Sequence, residues 1–425
     1  MSDQKAPTIL YVYHREVLVG EIERDHDLVF SFTYSLDWLK NPLKFALSLA
    51  MPLQEQSFGN KATLAFFENL LPEGDFRDAL EKKHQIKSSF DFLREFGQDC
   101  AGALIVSAQK KSPYAKDEGG LSQVSIEEIY HALDQKRSVT EVISEIEPGY
   151  LSLAGAQDKF SAVFKGGQFY LPHHGRPTTH IVKVPIYRSG VKESVYNEYF
   201  CMQLAKSVGL NVAECEVLAH SKYPLYVTKR YDRAADSVGV IRRIHQQDFC
   251  QAQGVVSENK YEAKGGPSLL DNFELIKSNV AIAKRKAALF SYLDWVCFNI
   301  VTGNNDSHSK NLSFLSVNQK IELSPFYDLL CTAIYPKLNN KFSFTVGGRN
   351  DATKIGKNQL LDVDKNLGLK SGTMSERMRN IISSLNSDMG NLVEQVTDEL
   401  PGAKIVNRIS DLIIKRCKNI EKQGL

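Results

Sequence analysis

The stretch from Val301 to Leu330 (VTGNNDSHSKNLSFLSVNQKIELSPFYDLL) constrains this chain more than any other. It places Asp306 five positions before Asn311. A predicted strand (Leu312 to Ser316), a turn at Val317–Gln319 and a second strand (Lys320 to Leu323) follow, and another acid, Asp328, comes just after Pro325. Upstream, Ala287 to Ile300 reads as a buried helix. Phosphoryl transfer needs such an arrangement, because a protein must orient a hydroxyl nucleophile and hold magnesium over the phosphates. A base Asp, an Asn five residues on and a second Asp do this in kinase catalytic loops. Asp306, Asn311 and Asp328 fit those roles in order and spacing. The competing reading is a polar turn in which Asp306 and Asn311 only bond the local backbone.

With 425 residues the chain has length for two or three domains. A net charge of +2 gives no global signal for nucleic acid or membrane. The seven cysteines are scattered, with no C-x-x-C pair, which argues for reduced thiols and against zinc. The start, MSDQKAPT, is polar, and the most apolar run, Phe290 to Thr302, carries Asp294 and is too short to span a bilayer. These features lead us to expect a soluble cytoplasmic protein without a membrane partner.

Ile9 to Tyr13, Glu16 to Ile22 and Leu28 to Tyr34 read as strands, Asn60 to Leu71 as a helix stopped by Pro72 and Gly74, and Phe76 to His84 and Phe90 to Phe96 as short helices. No ionisable constellation there suggests chemistry, so a scaffold or partner-binding domain is expected. Lys110 to Gly120 is polar and linker-like; Ser125 with Glu128 makes a capping box for a helix to about Leu133, and Val139 to Glu147 is amphipathic. Further on, Leu151 to Phe164 is a small-residue loop leading into a strand, and Thr179 to Pro185 is a strand carrying Lys183. Glu198 lies in a predicted helix, Glu193 to Val208. Kinases set a strand Lys on phosphates and hold it with a helix Glu. The alternative is an edge-strand Lys facing water beside a solvated Glu. Ala154–Gly155–Ala156 has one glycine, yet small side chains let backbone N–H groups approach phosphates. Ser152 brings a hydroxyl into this loop. The strand Tyr223 to Lys229 ends at Lys229–Arg230–Tyr231–Asp232, where a hinge would grip adenine.

The strings LSLAGAQDKFSAVF, HIVKVP, YVTKRYDR, TGNNDSHSKNLSF and LSPFYDLL, in this order, resemble the HipA family of kinase toxins, as does FFENLLP near the start. The resemblance covers nearly the whole chain. It implies an α+β, bilobed, protein-kinase-like or lipid-kinase-like fold with a small β-rich amino-terminal domain (1–109), connector (110–150), N-lobe (151–232) and mainly helical C-lobe (233–425). It also implies phosphorylation of Ser or Thr hydroxyls with ATP and Mg2+. By motif match Asp306 would be the catalytic base, with Asn311 and Asp328 on the metal. Nucleotide contacts would come from Ala154, Gly155, Ala156, Gln157, Asp158, Lys159, Lys183, Lys229, Arg230, Tyr231, His308, Ser309, Lys310, Asn311, Tyr327 and Asp328. Ser152 matches the loop serine that members autophosphorylate. Asn304–Asn305 and Leu329–Leu330 depart from the general protein-kinase pattern but agree with this family.

Beyond Cys331 the chain reads as helices, Ser375 to Leu385, Met389 to Glu399 and Val406 to Lys418, with a loose basic group of Lys365, Lys370, Arg377 and Arg379. That group is either an ordinary solvated surface or, by resemblance, a contact to operator DNA beside a HipB-like helix-turn-helix antitoxin. The same resemblance points to an aminoacyl-tRNA synthetase, chiefly the glutamate enzyme, as protein substrate. A catalytically weak co-repressor and a small-molecule phosphotransferase are the alternatives. The intact Lys183, Asp306, Asn311 and Asp328 favour an active enzyme, and the AGAQ loop favours the toxin family.

Overall fold

Alternation of apolar and polar residues in the first strands builds a sheet with one buried face. Strands β1 (Ile9–His14), β2 (Val17–Arg24) and β3 (Phe30–Tyr34) are followed by helices α1 (Leu36–Lys40), α2 (Asn60–Phe67), α3 (Gly74–His84) and α4 (Ser89–Phe96), then β4 (Ile105–Ser107). The strands pair antiparallel in the order β3-β2-β1-β4. Leu10, Val12, Phe32, Trp38, Phe66, Phe90 and Phe92 share one core with the helices. Residues 68–70, expected to prolong α2, tighten into a 3-10 turn before Pro72. The structure, a computed structural model, describes residues 8–25, 29–114, 120–147, 154–173 and 175–425. Ser152 lies outside the described residues.

A second antiparallel sheet joins β5 (Leu121–Val124), β6 (Lys159–Lys165), β7 (Gln168–Pro172) and β8 (His180–Lys183) in the order β5-β7-β6-β8. Strand β5 was not foreseen, because LSQV carries no strong β pattern; as an edge strand it needs little burial. Helices α5 (Ile126–Asp134) and α6 (Val139–Ile146) lie between β5 and β6 in the chain. The chain continues through α7 (Ser194–Ser207) into the hairpin of β9 (Cys215–Leu218) and β10 (Leu225–Lys229). Short strands β11 (Arg233–Ala235), β12 (Ile241–Arg243) and β13 (His245–Asp248) lead to α8 (Phe249–Ala252). Next come α9 (Leu269–Asn279), α10 (Ile282–Thr302), β14 (Ser313–Val317), β15 (Lys320–Leu323), α11 (Lys357–Asn366), α12 (Thr373–Glu399) and α13 (Ile405–Lys422).

The chain forms two compact units: residues 1–183, 229–257 and 315–319, and residues 184–228, 258–314 and 320–425. In the second unit, α10 packs against α9, α12 and α13. Trp295, Val296, Cys297, Phe298 and Ile300 of α10 are fully buried. Helix α12 is one continuous element of 27 residues, where the sequence suggested two helices, Ser375 to Leu385 and Met389 to Glu399. No proline interrupts it, and Met378, Ile381, Ile382, Leu385, Met389 and Val396 keep a helical apolar stripe. The content is α+β, as expected.

The first unit hides a cluster of charges. Asp99 accepts from Arg230 at 2.8 Å, Arg233 at 3.0 Å and Arg243 at 2.9 Å. Asp232 bonds Arg230 at 3.0 Å, Arg233 at 2.9 Å and the Gly102 amide at 2.7 Å. Burial alone would raise the Asp99 carboxyl, but the surrounding guanidiniums, Arg230 first, hold it well below the usual carboxylate range. This network joins the amino-terminal domain to the segment after β10. Breaking such a buried set leaves an uncompensated charge, which makes each member structurally critical.

Candidate active site

From Val301 to Leu315 every residue is buried except Asp306, whose side chain is 52 % exposed. A long buried helix delivers the loop and a chain-reversing glycine ends it: Gly303 caps α10 at φ 74°, and a Cβ there would stand 2.8 Å from Ala333. The loop then ties itself down. The Asn304 amide nitrogen donates to Asn299 at 2.8 Å and to the Asp328 carbonyl at 3.4 Å. Ser307 donates to the Asn304 carbonyl, and Thr332 accepts from the Asn305 amide at 2.8 Å. Ser343 donates to the Asn305 carbonyl at 2.7 Å. Asn311 closes the turn by donating Nδ2 to the Asp306 carbonyl at 3.0 Å. The spacing of five residues is thus the span of one closed turn with an acid at its tip.

Ser309 is buried and bonded by Asn272 at 2.9 Å; Lys310 is buried and its carbonyl accepts from the Tyr327 hydroxyl at 2.8 Å. Tyr327 also meets Ser313 at 2.7 Å, so the two halves of the motif are linked directly. Asp328 sits at φ 54°, a left-handed backbone that Asp tolerates better than most residues. Its loop is anchored to α7 through Asn197, which accepts from the Cys331 amide at 2.7 Å and donates to the Cys331 carbonyl at 2.9 Å. His308 is buried and stands edge-on to Tyr261 at 5.1 Å. Among the described residues no group of three His, Cys, Asp or Glu has the arrangement of a metal cage.

In the other unit, Lys183 ends β8 directly opposite Lys159 of β6, and both are buried. Glu198 is buried on α7. Neither Lys183 nor Glu198 is the solvent-facing residue of the bland alternative. Gly155 adopts φ 113°, and a Cβ there would lie 2.8 Å from the Lys159 ammonium, which donates to the Ala154 carbonyl. The same glycine bridges to Pro72, and the Glu73 amide donates to its carbonyl at 3.1 Å. Gln157 and Ala156 complete the turn, with Ala156 exposed. The Asp158 carboxylate is turned to α6, accepting from Ser138, Val139 and the Thr140 amide and hydroxyl.

Lys229 is exposed and Tyr231 partly so, while the Arg230 side chain is committed to the buried charge cluster and leaves only backbone for a ligand. The Arg230 amide donates to the Thr179 carbonyl at 2.9 Å. Of the four basic residues near α12, Lys365, Lys370 and Arg379 are exposed. Arg377 pairs with Asp294 at 2.8 Å and covers the Phe290 ring at 4.1 Å. The bonds of Asn304, and the approach of Thr332, Asn272 and Tyr261, were not foreseen from the sequence. Only Asn304 carried a signal, its place in the motif itself; the others reach the loop through the fold.

The chain matches the family described as HipA-like C-terminal domain over residues 151–390 and the HipA N-terminal domain over residues 10–107. It is 33 % identical over 419 residues to the Sinorhizobium fredii protein Y4mE, covering 96 % of this chain and 98 % of that one. It is 29 % identical over 395 residues to the serine/threonine-protein kinase toxin HipA of Shewanella oneidensis, covering 90 % of this chain and 88 % of the toxin. A solved structure of Shewanella oneidensis HipA with HipB and its operator DNA superposes with a TM-score of 0.81 at 25 % identity, covering 97 % of each chain.

Proposed function

The chain belongs to the HipA family of serine/threonine-protein kinase toxins, and from that membership we propose that it moves the γ-phosphoryl group of ATP to a Ser or Thr hydroxyl of a protein, with Asp306 as base. The observation that carries this reading is the solitary exposure of Asp306 on a loop whose other residues are buried. A rigid turn presenting one carboxylate suits proton abstraction from an incoming hydroxyl. The donor set suits a hard cation: Asn311 and Asp328 offer oxygen ligands, and magnesium takes one or two from protein and the rest from phosphates and water. Bound there, magnesium would neutralise phosphate charge. The buried Lys159 and Lys183, opposite each other on neighbouring strands, set two cationic side chains side by side, which suits an anion. Gly155 carries no Cβ beside the Lys159 ammonium, and Ala154 and Ala156 have small side chains, which suits backbone approach to a phosphate.

The roles of Asn311 and Asp328 as metal ligands, of Lys183 and Lys159 as phosphate partners, and of the backbone at 229–231 as adenine hinge belong to this same proposal. So does self-inactivation through phosphorylation of Ser152. Partnership with a HipB-like antitoxin, and repression of an operator with it, are supported by the solved complex of the relative. An aminoacyl-tRNA synthetase as substrate rests on family resemblance. No helix among the described residues is long and apolar enough to cross a membrane, and a cytoplasmic site of action is proposed.

Asp306→Asn decides the base assignment, because an amide cannot accept the nucleophile's proton. The purified variant is expected to keep its melting temperature and to lose phosphate incorporation from labelled ATP by about 10²- to 10⁴-fold. Wild-type incorporation by the variant would overturn the assignment.

A further inference from the structure

The carboxylate that the loop presents is already in contact with a hydroxyl. Tyr261 donates its phenolic O–H to Asp306 Oδ1 at 2.5 Å. That is the bond a base must make with the hydroxyl it deprotonates. Nothing in the reading of Asp306 calls for this tyrosine, which lies 45 residues away in sequence.

Its position is built. The segment from Glu258 to Pro267 folds back on itself: the Lys264 amide donates to the Tyr261 carbonyl at 2.9 Å and the Gly266 amide to the same carbonyl at 3.0 Å. A Cβ on Gly266 would fall 2.0 Å from the Asn259 carbonyl, so only glycine lets the turn close. Glu262 anchors the segment to the body by accepting from the Thr345 amide at 2.6 Å. The Tyr261 ring leans edge-on against buried His308, which fixes its direction. Tyr261 is half-buried, and the Lys260 and Lys264 ammoniums stand 5.6 and 6.0 Å from its ring centroid.

We propose that Tyr261 is the acceptor-site gate of this kinase: its phenol holds the place of the acceptor hydroxyl on Asp306, keeps water from that place, and is displaced when a Ser or Thr side chain enters. The proposal rests on Asp306 being the base. Water is the competitor that matters. When water is the acceptor, its oxygen bonds to the γ-phosphorus, the bond from that phosphorus to the β–γ bridging oxygen breaks, the proton goes to Asp306, and ADP and phosphate leave. A phenol seated on Asp306 blocks this wasteful step. The phenol is a poor substitute nucleophile there, because its ring is held by His308 and its segment by Glu262.

The test uses the full chain with ATP, magnesium and no protein acceptor, water being the probe. Tyr261→Phe removes one oxygen and leaves the ring. Its acceptor-free ATP hydrolysis is expected to rise by about 2- to 10-fold in kcat, the range set by losing one competing hydrogen bond, with the KM for ATP unchanged. Tyr261→Leu, which also clears the ring, is expected to rise at least as much. Unchanged or lower hydrolysis in both variants overturns the gate, as does a rise that appears only through a lower KM for ATP. A purely structural tyrosine would not raise kcat. The double variant Asp306→Asn with Tyr261→Phe separates the two readings. If it is silent, Asp306 is the base that the phenol was covering; if it hydrolyses ATP as fast as Tyr261→Phe alone, the base assignment fails rather than the contact.

Discussion

Among single residues, Asp328 is the one whose backbone and side chain make different demands. Its left-handed conformation favours Asp, Asn or Gly, and its proposed metal role needs a charge. The two demands separate by substitution. Asp328→Asn keeps the conformational preference and loses the charge, so the melting temperature is expected to hold while magnesium-dependent transfer falls at least about 10²-fold. Asp328→Ala adds a backbone penalty of about 1 kcal/mol, readable by urea denaturation. Equal stability of the two variants would show that the conformation carries no strain. This acid was legible through its distance from Asp306 and the intervening hairpin. Its φ angle was not legible, since no glycine or Asn-Gly pair marked the turn. Tyr261 was illegible for a different reason: a tyrosine in a polar loop has no periodicity, and only the fold brings it to Asp306.

Elements were legible where pattern and length agreed. The buried helix before the motif, the hairpin after it and the strand carrying Lys183 all correspond to observed elements, with ends shifted by a few residues. Strands β5 and β11 to β13 were not legible, because three- and four-residue strands take their identity from partners rather than from composition. The charge cluster was equally hidden: Asp99, Arg230, Asp232, Arg233 and Arg243 look in sequence like ordinary surface residues. Within it, Asp99→Asn removes the charge that three guanidiniums share. The expected cost is about 3–5 kcal/mol in unfolding free energy, measured by denaturant titration at neutral pH. A loss below 1 kcal/mol, by the same scale, would mean that water or rearrangement compensates the arginines. The Arg230 side chain, expected as a nucleotide contact, is spent on this cluster, so Arg230→Ala is expected to act first on stability.

At the scale of the whole molecule, the buried imidazoles of His14 and His245 set an acid limit. Burial lowers His14 and His245 to about 4, and each ring meets a backbone carbonyl, Ala103 at 3.3 Å and Leu47 at 2.8 Å. In the unfolded chain both titrate near the ordinary histidine value of about 6.5. Between that value and about 4 the unfolded state therefore binds protons that the folded state refuses. Their stabilising contribution is full above about pH 6.5 and is lost as pH falls through the folded value. Unfolding free energy is expected to drop between pH 7 and pH 5, on the order of 1–2 kcal/mol for each histidine. Asp99, held low by its arginines, gives way only below the usual carboxylate range, so it does not contribute in that window. A flat profile from pH 7 to pH 5 would contradict the buried neutral state of both rings.

The bond from the Glu73 amide to the Gly155 carbonyl makes the amino-terminal domain a listening post on the AGAQ loop. That amide proton exchanges with solvent only when its partner carbonyl lets go. A single peptide around Pro72 and Glu73, far from the motif in sequence, thus records how often the AGAQ turn departs from its seat. Hydrogen–deuterium exchange there reads the loop without any label, nucleotide analogue or substitution placed in the loop itself.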